Sequence, residues 1–238
     1  MRRNFQNELL KWKNSAARKP LVIFGARQVG KSYIVKEFGK TEYENMIILN
    51  CDKDERIAPI FDHGFRTEKI ISDIEVLSRQ KILPEKTLIF IDEIGEVPKA
   101  LAALKYFCED ASEYHIIAAG SLLGLAIHGG VSFPVGKVDE LMLYPLSFSE
   151  FLTARNGENL AAELMSRPLS ELESLKTVLE ESLREYYFTG GMPEAVRDFV
   201  EGKSVEDVRN VQKKILADYA LDISKHAPSA ALGRIHQI

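Results

Sequence analysis

The stretch Gly25-Ala26-Arg27-Gln28-Val29-Gly30-Lys31-Ser32 carries glycine, glycine-lysine and serine at the spacing G-x-x-x-x-G-K-S. An apolar run, Leu21 to Phe24, leads straight into Gly25, and a helical pattern opens at Lys31. A loop of this kind can turn successive backbone N–H groups inward around phosphate oxygens, and its glycines permit the conformations required. The helix behind it adds unsatisfied N–H groups and the positive end of its dipole. Lys31 is expected to reach the β- and γ-phosphates of a nucleotide, and Ser32 to bind Mg²⁺. Gly25, Arg27, Gln28, Val29, Gly30 and Tyr33 complete the expected nucleotide-binding set. A plain turn between strand and helix would account for the glycines but not for the Lys-Ser pair.

The second chemical element is Leu88-Ile89-Phe90-Ile91-Asp92-Glu93. Four apolar residues ending in two carboxylates describe a buried strand that delivers acid to the C-terminal edge of a sheet, where α/β sheets bind ligands. Asp92 is expected beside the metal held by Ser32, and Glu93 is placed to polarise a water for attack on the γ-phosphate. A third, weaker element is the run Ile116 to Ala119 followed by Gly120-Ser121. Ser121 could touch the attacking water or the γ-phosphate, or it could be an ordinary turn residue.

These side chains need a scaffold, and the apolar runs supply one. Leu21 to Phe24, Met46 to Leu49, Thr87 to Ile91 and Ile116 to Ala119 read as strands without polar alternation. Helix-period segments lie between them, at Lys31 to Phe38, about Lys69 to Gln80, and Lys99 to Cys108. That alternation predicts a parallel sheet covered on both faces. Val138 to Leu143 is a fifth candidate, which Asp139 and Glu140 make either more exposed or an edge. Phe5, Leu9 and Trp12 form one face of an N-terminal helix over residues 4–13.

After Pro145 only helical pattern remains: Phe148 to Ala154, Leu160 to Met165, Leu169 to Phe188, Glu194 to Val200 and Val205 to Asp222. Tyr186 to Glu194 reads as architecture, with Gly190-Gly191 ending one helix and Pro193 opening the next. Residues 1–145 are therefore expected to form the α/β core and 146–238 an all-α, lid-like region. Gly129-Gly130 after His128 reads as a mobile loop, and the ending after His226 as the start of a further, cut domain.

Composition narrows the class. The chain has 238 residues, 45% hydrophobic and 28% charged, which excludes collagen-like, low-complexity and disordered classes. Its longest nearly apolar stretch, Ile116 to Ile127, is 12 residues, too short for the roughly 20 of a membrane-spanning helix. Cys51 and Cys108 lie 57 positions apart without a metal-binding cluster, and the five histidines show no ligand spacing. A reducing cytoplasm is the expected compartment. The net charge is −4, yet residues 1–40 balance to +8 and the remainder to −12. The basic N-terminal part could serve a compact polyanion such as a triphosphate, or simply solvate a helix.

Five segments, "GARQVGKS", "LIFIDEI", "AAGSLLG", "LYPLSFSEFL" and "YFTGGMPEAV", resemble the prokaryotic AAA-type P-loop ATPases that carry a C-terminal domain of unknown function, near the archaeal ATPase and STAND groups. The resemblance runs from about Arg2 to Ile235. It implies an α/β P-loop NTPase fold with helices on both sheet faces, the strand before Ser121 being inserted between the P-loop strand and the Asp92 strand. It implies ATP and Mg²⁺ as ligands, hydrolysis by an Mg²⁺-dependent switch, and a helical lid that follows nucleotide state. Lys31, Ser32, Asp92, Glu93 and Ser121 match the residue types that such a site uses.

Lys137 departs from the pattern, since relatives often have arginine there; a lysine keeps the charge but loses the planar fork. Relatives usually continue further. Slow turnover by the chain alone is therefore expected, with self-association, a protein partner or the missing C-terminal region supplying an arginine. Arg155, Arg167, Arg184 and Arg197 are in-chain candidates for that charge. Two other functions share these motifs. A kinase would use the same loop, but the Asp92-Glu93 pair favours activating water. A DNA-associated adaptor or loader draws weak support from the +8 segment, against an acidic whole.

Overall fold

The computed structural model describes residues 3–121 and 133–226. The loop at Gly129-Gly130 and the ending beyond His226 lie outside the described residues. The chain folds as two units. An α/β unit takes Phe5–Ala26 and Gly30–Leu143, and a helical unit takes Arg3, Asn4, Arg27–Val29 and the chain from Tyr144 onward.

In the α/β unit, β1 (Leu21–Gly25), β2 (Asn45–Asn50), β3 (Thr87–Asp92), β4 (His115–Gly120) and β5 (Asp139–Leu143) form a parallel sheet in the order β2-β3-β4-β1-β5. The strand before Ser121 thus lies between the P-loop strand and the Asp92 strand. Strands β3 and β4 are buried at every position, as their unbroken apolar runs require. Among the described residues strand β5 pairs only with β1, and it alternates in exposure, so its acidic residues reach solvent at an edge.

Period-two alternation splits the buried strand residues between two layers. Val22, Ile89, Ile91, Ile116 and Ala118 join one cluster with Ile70 and Ile74 of α3 (Thr67–Ser78) and Leu104 and Phe107 of α4 (Pro98–Asp110). On the opposite side, buried Leu9 and Trp12 of α1 (Phe5–Lys13) and Ile34, Val35 and Phe38 of α2 (Lys31–Glu42) complete the sandwich. His115 opens β4 in this layer; its Nδ1 meets the Tyr43 hydroxyl at 2.7 Å, and Trp12 sits edge-on with ring centroids 6.0 Å apart. Burial pushes the imidazole down to about 4, with the nearby Arg18 and Lys13 charges adding to the effect.

The helical unit contains α5 (Phe148–Asn156), α6 (Glu158–Ser166), α7 (Lys176–Thr189), α8 (Pro193–Val200) and α9 (Val205–His226). Its core gathers Leu146, Phe151 and Val196 under Phe148, Tyr186 and Phe199. The sequence pattern predicts unbroken helix over Leu169 to Phe188, but two 3-10 turns, Leu169–Glu171 and Glu173–Leu175, replace its first part. Leu172 is buried between them, and i+3 hydrogen bonds from Glu171 and Leu175 close the turns, so tertiary burial overrides local propensity.

The segments "LYPLSF" and "TGGMPE" clasp one another inside this unit. The Leu146 N–H donates to Gly191 O at 2.7 Å, and the Tyr186 hydroxyl donates to Leu146 O at 2.7 Å. A Cβ on Gly191 would lie 2.4 Å from Leu146 O, so only glycine permits this approach. Ser147 caps α5 in a reciprocal box with Glu150.

Candidate functional site

Strand β1 ends at Gly25 and the chain re-enters a helix at Lys31, so the intervening loop stands at the C-terminal edge of the sheet. Gln28 and Gly30 adopt left-handed backbone, with φ of +62° and +98°. Alternation of left- and right-handed residues is what curls successive N–H groups into an anion-binding nest. Lys31 is buried to 6% exposure, and its Nζ donates to Gly25 O at 2.9 Å and Ala26 O at 3.0 Å. The ammonium is thereby held against the loop from which it would serve a phosphate.

The two acidic residues reach the same edge by register. Asp92 ends β3 opposite Ala119 of β4, and Phe24 of β1 lies opposite Gly120. One step further along these strands stand Glu93, Ser121 and Gly25. The Ser32 hydroxyl donates to Asp92 Oδ1 at 2.9 Å, although 60 positions separate them in sequence. Asp92 is 4% exposed, and the Asn50 amide reaches its Oδ2 at 3.4 Å. A hydroxyl and a carboxylate this close are hard oxygen donors, the set that Mg²⁺ takes. Glu93 has left-handed backbone, φ +52°, which turns the chain out of the strand at this residue.

Asn50 is a site neighbour that the motifs do not include. It ends β2 in direct register with Asp92, so its signal in the sequence is a polar residue closing an apolar run one strand away. Cys51 follows it and is no nucleophile: burial pushes its thiol up to about 12, and the carboxylates of Asp92, Glu96 and Glu93 push the same way. Tyr33 is largely exposed on the first turn of α2.

Lys137 is not brought to this edge. It precedes β5, whose first residue lies opposite Leu21 at the start of β1, a strand length away from the loop. Its Nζ pairs with Glu109 Oε1 at 2.7 Å, and that hydrogen bond raises its pKa. The lysine that stands where relatives often have arginine is an edge ion pair. Within the helical unit, Arg155 pairs with Glu185 at 3.1 Å and Arg197 with Asp198 at 2.9 Å. Arg167 pairs with Glu163 one helical turn before it, and Arg184 is exposed. Among the described residues no group of three or more His, Cys, Asp or Glu could hold a metal, and no helix is long and apolar enough to cross a membrane.

A five-stranded parallel sheet in this order, with a glycine-lysine-serine loop after β1 and an acidic end to β3, defines the P-loop ATPase fold. The chain belongs to the AAA domain family, whose model matches residues 17–152; a domain of unknown function (DUF8612) matches residues 180–238. A Haemophilus influenzae protein described as uncharacterized is 26% identical over 234 residues, covering 90% of this chain. The chain spans about half of that relative, 54% of its length. Among solved structures, a Walker-type ATPase of Pyrococcus abyssi shares the fold with a TM-score of 0.55 and 16% identity, over 94% of this chain and 76% of the other. The C. elegans protein PCH-2 aligns with a TM-score of 0.49 at 13% identity, over 92% of this chain and 69% of its own.

Proposed function

We propose that this chain is an Mg²⁺-dependent ATP-hydrolysing switch, with residues 1–145 as the catalytic core and 146–238 as a helical lid that follows nucleotide state. The observation that carries the reading is the 2.9 Å bond from Ser32 to Asp92, which joins the phosphate-loop motif and the acidic strand end in one site. The name of the Pyrococcus abyssi structure, a Walker-type ATPase, points the same way.

In this reading Lys31 leaves the carbonyls of Gly25 and Ala26 and turns its charge to the β- and γ-phosphates. The inward N–H groups of Arg27 to Ser32 take the remaining phosphate oxygens. Ser32 and Asp92 would hold the metal, which when bound would neutralise charge on those oxygens. Glu93 takes a proton from the attacking water, a contribution of about 10²–10⁴ in rate. Ser121 orients that water or the γ-phosphate. Calorimetric titration with ATP and Mg²⁺ tests the reading. Tight binding by the wild-type chain that Lys31→Ala abolishes supports it, and equal affinity of the two overturns it.

A further inference from the structure

Three consecutive residues at the tip of the phosphate loop are each gripped by a different group of the helical unit. The Tyr219 hydroxyl donates to Arg27 O at 2.8 Å. Gln28 Nε2 donates to Asp218 Oδ2 at 2.8 Å. Arg3 Nη1 donates to Val29 O at 3.4 Å, while its other nitrogens are fixed on Glu150 Oε1 at 3.1 Å and Tyr144 O at 2.6 Å. Consistent with this, Arg27–Val29 belong to the helical unit and not to the sheet.

The geometry of a nest gives these contacts a direction. When N–H groups converge on an anion, the carbonyls of the same peptide planes face away from it. Donors seated on the Arg27 and Val29 carbonyls therefore hold the tip with its N–H groups turned inward. Gln28 lies between them in left-handed backbone, φ +62°, a conformation that is strained for a residue with a Cβ. Such a conformation persists only where the surroundings over-determine it, and Asp218 supplies the grip on its side chain.

Helix α9 is itself anchored further back. Gln212 donates to Phe188 O and Thr189 O, both at 2.9 Å; Val208 and Ile215 are buried; and Arg209 lies 4.3 Å from the Phe188 ring centre. Asp218 and Tyr219 stand about two turns beyond Gln212, so a rigid helix connects the α7 end to the loop tip. These residues lie in the segment matched by the domain of unknown function.

We propose that Tyr219 and Asp218, together with Arg3, are positioning residues for the phosphate loop, and that nucleotide occupancy and the seating of α9 are thermodynamically coupled through them. This rests on the nucleotide-binding reading above. Coupling is reciprocal: what α9 adds to nucleotide affinity, nucleotide returns to α9.

The test uses the full chain, with Mg²⁺ and a non-hydrolysable ATP analogue as probe. Tyr219→Phe removes one hydroxyl and is expected to raise the analogue's Kd about 3- to 10-fold, the loss of one hydrogen bond. With ATP, KM should rise while kcat at saturation stays within about twofold. In the wild type, the analogue should slow amide hydrogen exchange across residues 214–221, and in Tyr219→Phe that slowing should be lost. Equal affinity of Tyr219→Phe and wild type overturns the proposal. So does wild-type binding that leaves exchange in α9 unchanged, a result that depends on no variant. If the wild type binds no nucleotide, the functional reading falls together with this one, which distinguishes the two failures.

Discussion

Arg3 and Glu150 form an ion pair sealed from solvent, Nε to Oε1 at 3.1 Å, with both side chains only 9% exposed. Glu150 also accepts from the backbone N–H groups of Asn4 and Ser147, at 2.8 and 2.9 Å. A buried pair of this kind contributes little net stability over an apolar substitute, but removing one partner strands the other charge. Arg3→Ala is therefore expected to destabilise the helical unit by about 3–5 kcal/mol. Urea unfolding followed by the fluorescence of residues in that unit measures it. An unchanged midpoint would mean that water already reaches Glu150.

Gly191→Ala should act on the same unit by another route. Its new Cβ would sit 2.4 Å from the Leu146 carbonyl, a backbone atom that cannot swing aside as a side chain could. Overpacking of this kind costs about 1–3 kcal/mol, and loss of the Leu146–Gly191 hydrogen bond would add to it. Thermal unfolding of the variant checks this, and a melting temperature equal to wild type would show that the clasp can open without cost.

His115 gives the α/β unit a dependence on pH with a definite sign. Its folded pKa is pushed down to about 4, below the ordinary value of 6.5, so the unfolded state binds more protons between those limits. Stability from this residue is complete above pH 6.5 and is lost as pH falls toward 4, with a slope of at most about 1.4 kcal/mol per pH unit. Denaturant midpoints for wild type and His115→Phe, measured across that window, should show a shallower slope in the variant. Parallel curves would contradict the assignment.

Lys137→Arg should leave phosphate release unchanged, because the side chain pairs with Glu109 at the sheet edge remote from the loop. A rate rise in steady-state assays would place a basic group from this segment near the γ-phosphate after all.

Most of this arrangement is legible in the chain because single local features impose it. Unbroken apolar runs mark the buried strands, and Asp139 and Glu140 mark β5 as the exposed one, which the strand order makes an edge. Strand order follows from the resemblance and not from periodicity. What stays hidden is long-range. Nothing near Gln28 announces Asp218, which lies 190 positions away, and nothing near Glu150 announces Arg3. Lys137 is open for the same reason: its charge is visible in the sequence, but its partner Glu109 and its end of the sheet are set by register. Leu172 breaks a helical pattern because burial, a tertiary property, outweighs the propensity of its neighbours.

Ser32, Asp92 and Glu93 are proposed to form a site that hydrolyses a nucleoside triphosphate. Phosphate release from ATP and Mg²⁺, without any acceptor, tests it most directly when wild type and Glu93→Gln are compared at saturating ATP. The variant keeps the shape of the side chain and removes the base and one negative charge. The expected result is measurable release by the wild type, a rate lower by about 10²–10⁴ in the variant, and ATP affinity in the variant no weaker than in wild type. Equal rates in the two proteins would reduce Glu93 to the end of a strand and leave the site without its general base.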